Sequence, residues 1–333
     1  KGMSLKAIAK QLGISVTTVS RALNGYDDVS QETRARVQAE ADRRGYRPNT
    51  FARRLKMGKI DAVGLVFPVH PVPLNNSVFM EMVGEISREL ASHDIDLLLI
   101  ADDDRADKHS YLRMVQSRRV DALIVAHTLD NDARLEQLQA VGFPFLALGR
   151  SQLARPYAWF DFDNYAGTRS ATRYLIEKGH QRIAMLSENN NQAFITQRRQ
   201  GYLDALRDDG LSSEWLRTLP PSRRAGYQAV EALLALPQPP QAIITDCNTH
   251  GDGAAMALLK HGRLLGDDRV ALVVYDGLPD DSIVEVDVAA VVQATREAVG
   301  KQIADMVRQL IAGEELTRLQ VLWQTAFRPG ITA

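Results

Sequence analysis

From Ala62 onward the chain repeats one pattern, a short and almost wholly apolar run followed by an amphipathic stretch of helical length. The runs AVGLVFP, IDLLLIAD, VDALIVAH and FPFLALG begin at residues 62, 95, 120 and 143. They are too short for buried helices, and they lack the apolar–polar alternation of a strand with one wet face. Strands of this kind are covered on both sides, and alternation with helices such as SVFMEMVGEISRELASHD and SYLRMVQSRR predicts a parallel sheet. A second series follows AWFDFDN: RIAMLSE, QAIITDC and VALVVYDG are its strands, with YAGTRSATRYLIEKGH, AFITQRRQGYLDALRDDG and GDGAAMALLKHGR among its helices. Two doubly wound lobes in one chain predict a cleft between them, lined by loops at the carboxyl ends of the strands.

The residues before this body are chemically different. Net charge over all 333 residues is −1, but residues 1 to 59 hold 13 Lys and Arg against 5 Asp and Glu, and the remainder is correspondingly acidic. A surplus of positive charge confined to one end points to an anionic polymer as partner, where a merely solvated basic face is the bland alternative. Order within the segment separates the two. SLKAIAKQLG offers Ser4 as a cap, Leu5, Ile8, Ala9 and Leu12 at helical spacing, and Gly13 as a stop. ISVTTVSRALNG opens a second helix at Ser15 and puts Val19, Ala22 and Leu23 on one face. Two short helices across a Gly-containing turn form a helix-turn-helix, whose second helix can enter the major groove. There Ser15, Val16, Thr17 and Thr18 would meet thymine methyls and base-edge groups, while Arg21 would reach guanine or phosphate. A third helix, capped by Ser30, turns Val37 and Ala41 inward and its arginines outward.

Other function classes find no support in the motifs. GLVFP lacks the glycines of a dinucleotide loop, there is no P-loop, and the seven histidines show no HExxH pairing. Ser87 and Ser110 have no nucleophile-elbow context, so an enzyme is not expected, and neither is a cofactor or metal. Asp102, Asp103 and Asp104 read as solvated carboxylates at a helix start, where the macrodipole favours acids. The single cysteine, Cys247, fits a reducing cytoplasm, and no apolar run is long enough to predict membrane insertion.

LKAIAKQLGISVTTVSRALNG, followed by VSQETRARVQAEADRRGYRPNTFARRLKMGK, resembles the headpiece of the LacI/GalR family of bacterial transcription regulators. YLIEKGHQRIAMLSE, RRQGYLDAL, VVYDG and AAVVQ continue the likeness in the family's order and spacing, and SVFMEM, HDIDLLLIADD, WFDFDN and HGDGAAM are similar to members that answer to α-galactosides such as raffinose or melibiose. The resemblance implies an all-α helix-turn-helix headpiece over residues 1–47, a hinge helix over 48–59, and a periplasmic-binding-protein-like effector and dimerisation body over 60–333. Within that body the N-lobe would span about 60–162 and 294–322, and the C-lobe about 163–292 and 323–333, with crossings near 162, 293 and 322.

The same resemblance carries the candidate site. Arg198 in QRRQGY and Asp276 in VVYDG match cleft residues that hold sugar hydroxyls, Phe162 matches an aromatic lining position, and Gln293 stands at the last crossing. Trp159 is a further candidate stacking surface. Where the family carries an Asn-Asp pair, TDCNT places Cys247 and Asn248; either Asp246 or Asn248 takes over the polar contact, or Cys247 packs as a small hydrophobe. In the hinge, Asn49, Ala52 and Leu55 would meet DNA, with Leu55 pushed between base pairs from the minor groove. The implied partners are palindromic operator DNA, a second copy of the chain in a homodimer, and a sugar inducer. The alternatives are a different sugar or a co-repressor, and a stand-alone sugar-binding protein.

Overall fold

The structure, a computed structural model, describes residues 4–47, 58–70 and 76–333. The hinge positions Asn49, Ala52 and Leu55 lie outside the described residues. Two compact units are present, Lys1–Asp61 and Ala62–Ala333.

The first unit holds α1 (Leu5–Leu12), α2 (Val16–Leu23) and α3 (Gln31–Arg43). Each begins in the same way: the hydroxyl of Ser4, Ser15 or Ser30 accepts the backbone N–H three residues on, at 3.3, 2.9 and 3.2 Å. A cap of this kind stabilises a short helix by about 1 kcal/mol. Gly13 ends α1 with φ at 68°, a left-handed conformation that lets the chain turn sharply into α2. Ile8, Ala9, Val19, Ala22, Val29, Val37 and Ala41 form the small core, and Leu23 packs at its edge.

The second unit contains two six-stranded sheets. In the first, β1 (Ala62–Pro68), β2 (Asp96–Asp102), β3 (Ala122–Val125), β4 (Phe145–Leu148), β5 (Ala158–Phe162) and β11 (Gln320–Trp323) lie in the order β11-β5-β4-β3-β1-β2, every pair parallel. The second sheet is built from β6 (Ile183–Glu188), β7 (Leu216–Leu219), β8 (Ala242–Thr245), β9 (Ala271–Tyr275), β10 (Ala289–Val292) and β12 (Ala326–Arg328), in the order β12-β10-β9-β8-β6-β7. It is parallel except for the antiparallel edge pair of β10 and β12. The chain passes from one sheet to the other after Phe162, returns after Val292, and leaves again after Trp323.

Side-chain alternation explains why the central strand runs are apolar throughout, whereas β2, expected to be covered on both sides, lies at a sheet edge and is largely exposed despite its apolar run. Leu186, Ile243, Leu272 and Val274 enter one core of the second lobe, while their neighbours Met185, Ile244 and Val273 enter the core on the other face. In the first lobe, Leu65, Ile124 and Phe160 pack with α4 (Ser77–Ala91) and with Val299, Ile303 and Val307 of α11 (Arg296–Ile311). The last long helix thus belongs to the first lobe although its sequence follows the second. No helix among the described residues is long and apolar enough to cross a membrane.

One expectation fails locally. Asp102 ends β2 but starts no helix: the next helix, α5, runs from Ser110 to Gln116, and α6 follows at Ala133–Val141. Asp102 is buried and pairs with His109 Nδ1 at 3.0 Å, so its charge is met by a side chain rather than by a helix dipole.

Candidate functional site

Between the lobes lies a cavity of about 180 Å³, walled by residues at or just beyond the carboxyl ends of β3, β4, β5, β6, β8, β9 and β10. Parallel strands all point their C-termini the same way, so the topology alone gathers these loops.

The C-lobe wall is polar. Arg198, on α8 (Ala193–Asp208), is buried; its Nε donates to Asn164 Oδ1 at 3.0 Å and its Nη1 to the Asp246 carbonyl at 2.6 Å. Its guanidinium lies 3.5 Å from the centroid of the Tyr275 ring and 4.8 Å from that of Phe194. These contacts lock the plane of the fork, and two of five N–H groups account for the hydrogen bonds above. Helix α8 can come this close because Gly201 lies against α7 (Asn164–Glu177): a Cβ there would run into the Tyr165 carbonyl. Asp276 follows β9 with φ at 68°, an uncommon conformation for a residue with a Cβ, and its Oδ1 is buried with no hydrogen-bond partner among the described residues. Strain and an unmet acceptor on one side chain are tolerated where binding depends on them. Asn248 and Gln293 line the same cavity.

The N-lobe wall is aromatic and apolar. Phe79, Phe160 and Phe162 face the cavity, and Trp323 packs edge-on behind Phe160 and Phe162 at 5.1 and 6.2 Å. Edge-to-face packing fixes the rings where they line the cavity. Asp161, at the end of the same strand, is raised above the usual carboxylate range by burial, against the pull of Arg150, whose Nε donates to it at 3.0 Å. Across the cavity, burial also raises Glu188, and the nearby charge of Asp246 adds to the effect.

Beside the cavity the lobes are joined directly. The backbone N–H of Ala193 donates to the Thr128 carbonyl at 2.8 Å, Thr196 Oγ1 donates to Asp130 Oδ2 at 2.9 Å, and His127 Nδ1 meets Gln192 Oε1 at 3.1 Å. Burial drives the His127 pKa down to about 4, so the ring is neutral, and its Nε2 has no hydrogen-bond partner among the described residues.

Arg198, Asp276, Phe162, Gln293 and Asn248 therefore share one cavity, whereas Trp159 and Asp246 are outside it. Trp159 lies on the opposite face of β5 from Phe160 and Phe162, with Arg150 over its ring at 5.3 Å. Asp246 is turned inward, where its Oδ2 accepts the Glu188 N–H at 3.0 Å. Cys247 lines the wall as a buried thiol, raised above its ordinary pKa by burial. Sequence reasoning missed Phe160, His127 and Asn164. Phe160 shares the pattern of any core strand; His127 and Asn164 are single polar residues that only the topology brings to the cleft.

In the headpiece, Ser15, Val16 and Thr17 are exposed at the start of α2, while Thr18 is half-buried and its hydroxyl lies 2.8 Å from Ser15 Oγ. Arg21 is exposed, paired with Asp28 through Nε at 3.1 Å and held over the Tyr26 ring at 4.8 Å. An exposed pair of this kind contributes at most about 1 kcal/mol, so an anionic partner can displace the carboxylate.

Comparison with known proteins gives these surfaces a context. Residues 4–49 match the family of bacterial regulatory proteins of the lacI type, and residues 60–327 match the periplasmic binding proteins and sugar binding domain of the LacI family. The Escherichia coli HTH-type transcriptional regulator RafR is 63% identical over 330 residues, covering 99% of this chain and 98% of that protein. A solved structure of a Yersinia pestis biovar Microtus protein described as a transcriptional regulator is 50% identical, with a TM-score of 0.79 over 82% of this chain and 98% of that one. The Lac repressor dimer bound to operator and the anti-inducer ONPF shares the fold, with a TM-score of 0.84 at 22% identity over 100% of this chain and 99% of that one. With both of its units matched, the chain belongs to the LacI family and is a sugar-responsive transcriptional regulator.

Proposed function

We propose that the protein represses a sugar-utilisation operon and is released from a twofold operator when an α-galactoside such as raffinose or melibiose occupies the cavity. The observation that carries this reading is the pairing, in one cavity, of a locked arginine fork and an unpartnered carboxylate oxygen with an aromatic wall. Sugars present hydroxyls that bridge a donor and an acceptor, and a ring face that packs on aromatic surface. Arg198 supplies donors, Asp276 accepts, Gln293 and Asn248 add amides, and Phe162 offers the apolar surface. Identity of 63% to RafR supports the α-galactoside class over other sugars.

Ligand alters DNA affinity only through a difference in its affinity for two arrangements of the lobes. Weakening operator binding about 100-fold requires a coupling of about 2.7 kcal/mol, within the usual allosteric range. The direct lobe-to-lobe bonds at Thr128, Asp130 and His127 are the contacts such a rearrangement would remake. On the DNA side, a homodimer places two α2 helices on two half-sites through Ser15, Val16, Thr17, Thr18 and Arg21. Asn49, Ala52 and Leu55 would engage the minor groove between them, so Leu55→Ala should abolish operator bending while sugar binding is retained. The deciding measurement is operator affinity at fixed salt with raffinose, melibiose and glucose as separate additions. A loss of affinity with either galactoside and none with glucose is expected; equal affinity in all three would overturn the proposal.

A further inference from the structure

Directly behind the C-lobe wall, the turn from β8 into α10 (Asn248–Lys260) brings together Asp246, Cys247 and His250, all buried. One ligand atom from each lies within 4.8 Å of the other two. The hydrogen bonding around His250 makes the cluster informative. Its Nε2 is 2.7 Å from the Pro220 carbonyl, which accepts only, so Nε2 carries a hydrogen and the neutral ring presents a lone pair at Nδ1. That lone pair faces Asp246 Oδ1 at 3.7 Å, and neither atom has a hydrogen-bond partner among the described residues. Two acceptors buried face to face repel each other unless a cation lies between them.

We propose that Asp246 Oδ1, Cys247 Sγ and His250 Nδ1 bind a divalent transition-metal ion of the zinc class. A separation of 3.7 Å is too long for a hydrogen bond. It is close to the distance of about 3.3 to 3.6 Å between neighbouring ligands of a tetrahedral zinc. Thiolate, imidazole and carboxylate together select such an ion over calcium or magnesium, which take oxygen alone. The supporting shell is in place. Pro220 fixes the imidazole tautomer, and Asp246 Oδ2 accepts the Glu188 N–H, which leaves Oδ1 for the ion. Gly226, on α9 (Arg223–Leu234), packs so closely that a Cβ would strike the His250 carbonyl, which anchors the backbone of that ligand. A proton is the rival occupant: burial opposes an imidazolium here, while Asp246 and Cys247 favour it enough to raise the His250 pKa. The third donor and the 3.7 Å gap favour the metal. Because Cys247 also lines the cavity, the ion would stand at the wall that the effector meets.

The test uses tag-free, full-length protein, stripped with a chelator and titrated with cobalt(II) and then zinc(II). Cys247 is the sole cysteine, so a thiolate-to-cobalt charge-transfer band can arise only from this site. One cobalt per chain with that band, displaced by zinc, is expected. Cys247→Ser should abolish the band, and His250→Gln, which removes a ligand, should weaken zinc binding by more than the about 10- to 100-fold that loss of a hydrogen-bond partner behind a ligand costs. Should His250→Gln fail to fold, Cys247→Ser, a change of one atom, carries the comparison, with circular dichroism as the check on folding. Absence of the band, binding of cobalt without it, or zinc affinity unchanged in Cys247→Ser would each overturn the site and leave a proton between His250 and Asp246.

Discussion

The two walls of the cavity are made of different material. On the N-lobe side Phe79, Phe160 and Phe162 continue the hydrophobic core outward to the surface of the cleft. On the C-lobe side Arg198, Glu188 and Asp276 line the cavity from a lobe that also buries Asp246, His250 and Asp252. An aromatic wall serves stability and binding together, since its rings are buried on one side whatever lies on the other. A polar wall costs stability until something completes it. If a sugar occupies the cavity as proposed, the lobes divide the work: one would offer a surface for a ring face, and the other would discriminate among hydroxyl patterns.

The largest test of that division is Phe160→Ala, which should destabilise the body by about 3–5 kcal/mol in chemical denaturation. A cost under about 1 kcal/mol would mean that the ring faces the cleft without supporting the core. Next comes acid. Burial holds the His127 pKa down to about 4 in the folded protein, against about 6.5 for an ordinary imidazole. Its stabilising contribution is complete above pH 6.5 and is lost as the pH falls toward 4, because the unfolded chain takes up the proton first; at most about 3.4 kcal/mol is involved. His127→Gln should flatten the stability profile across that window, and an unchanged slope would show that another group controls it.

Asp276→Asn addresses the polar wall. Asparagine tolerates the left-handed backbone, so the melting temperature should stay level, while raffinose affinity measured by calorimetry falls about 10- to 100-fold, or about 1.4–2.7 kcal/mol. Equal losses of stability and affinity would erase the contrast with Phe160. The smallest effect is expected at Phe162→Leu, which keeps apolar volume but removes the ring face: about 1 kcal/mol of raffinose affinity, with little change in melting. Loss of all binding in that variant would assign the aromatic wall more than packing.

Much of the fold was legible because strands such as β1, β6, β8 and β9 are covered on both faces, and continuous apolar runs follow directly from that burial. Edge strands are harder, except β2, which keeps a continuous apolar run although it is largely exposed. LRTL in β7, QVLW in β11 and AFR in β12 are partly exposed, so neither alternation nor a continuous run marks them. The lining of the cavity was legible where a motif fixed the position, as with Arg198 and Asp276, and opaque where only folding makes neighbours. His127 and Gln192 are 65 residues apart in the chain and meet across the two lobes. Trp159 and Asp246 show the complementary limit. Each is adjacent in sequence to a lining residue, and a strand's two-residue alternation or an inward-turned carboxylate is enough to remove it from the cavity.

The close approach at Gly201 has a mechanical consequence. Where a glycine lets two helix backbones meet, no side chain can shear between them, so α7 and α8 form a single stiff plate. Asn164 begins that plate just after the first crossing strand; its amide donates to the Phe162 carbonyl at 3.0 Å and its Oδ1 accepts from Arg198. A load applied to Arg198 would thus reach the crossover as rotation of a rigid lever. If a sugar releases the operator as proposed, Gly201→Ala, by forcing the plate open, should change operator affinity measured without sugar less than it changes the response of that affinity to raffinose; an unchanged response would remove the lever.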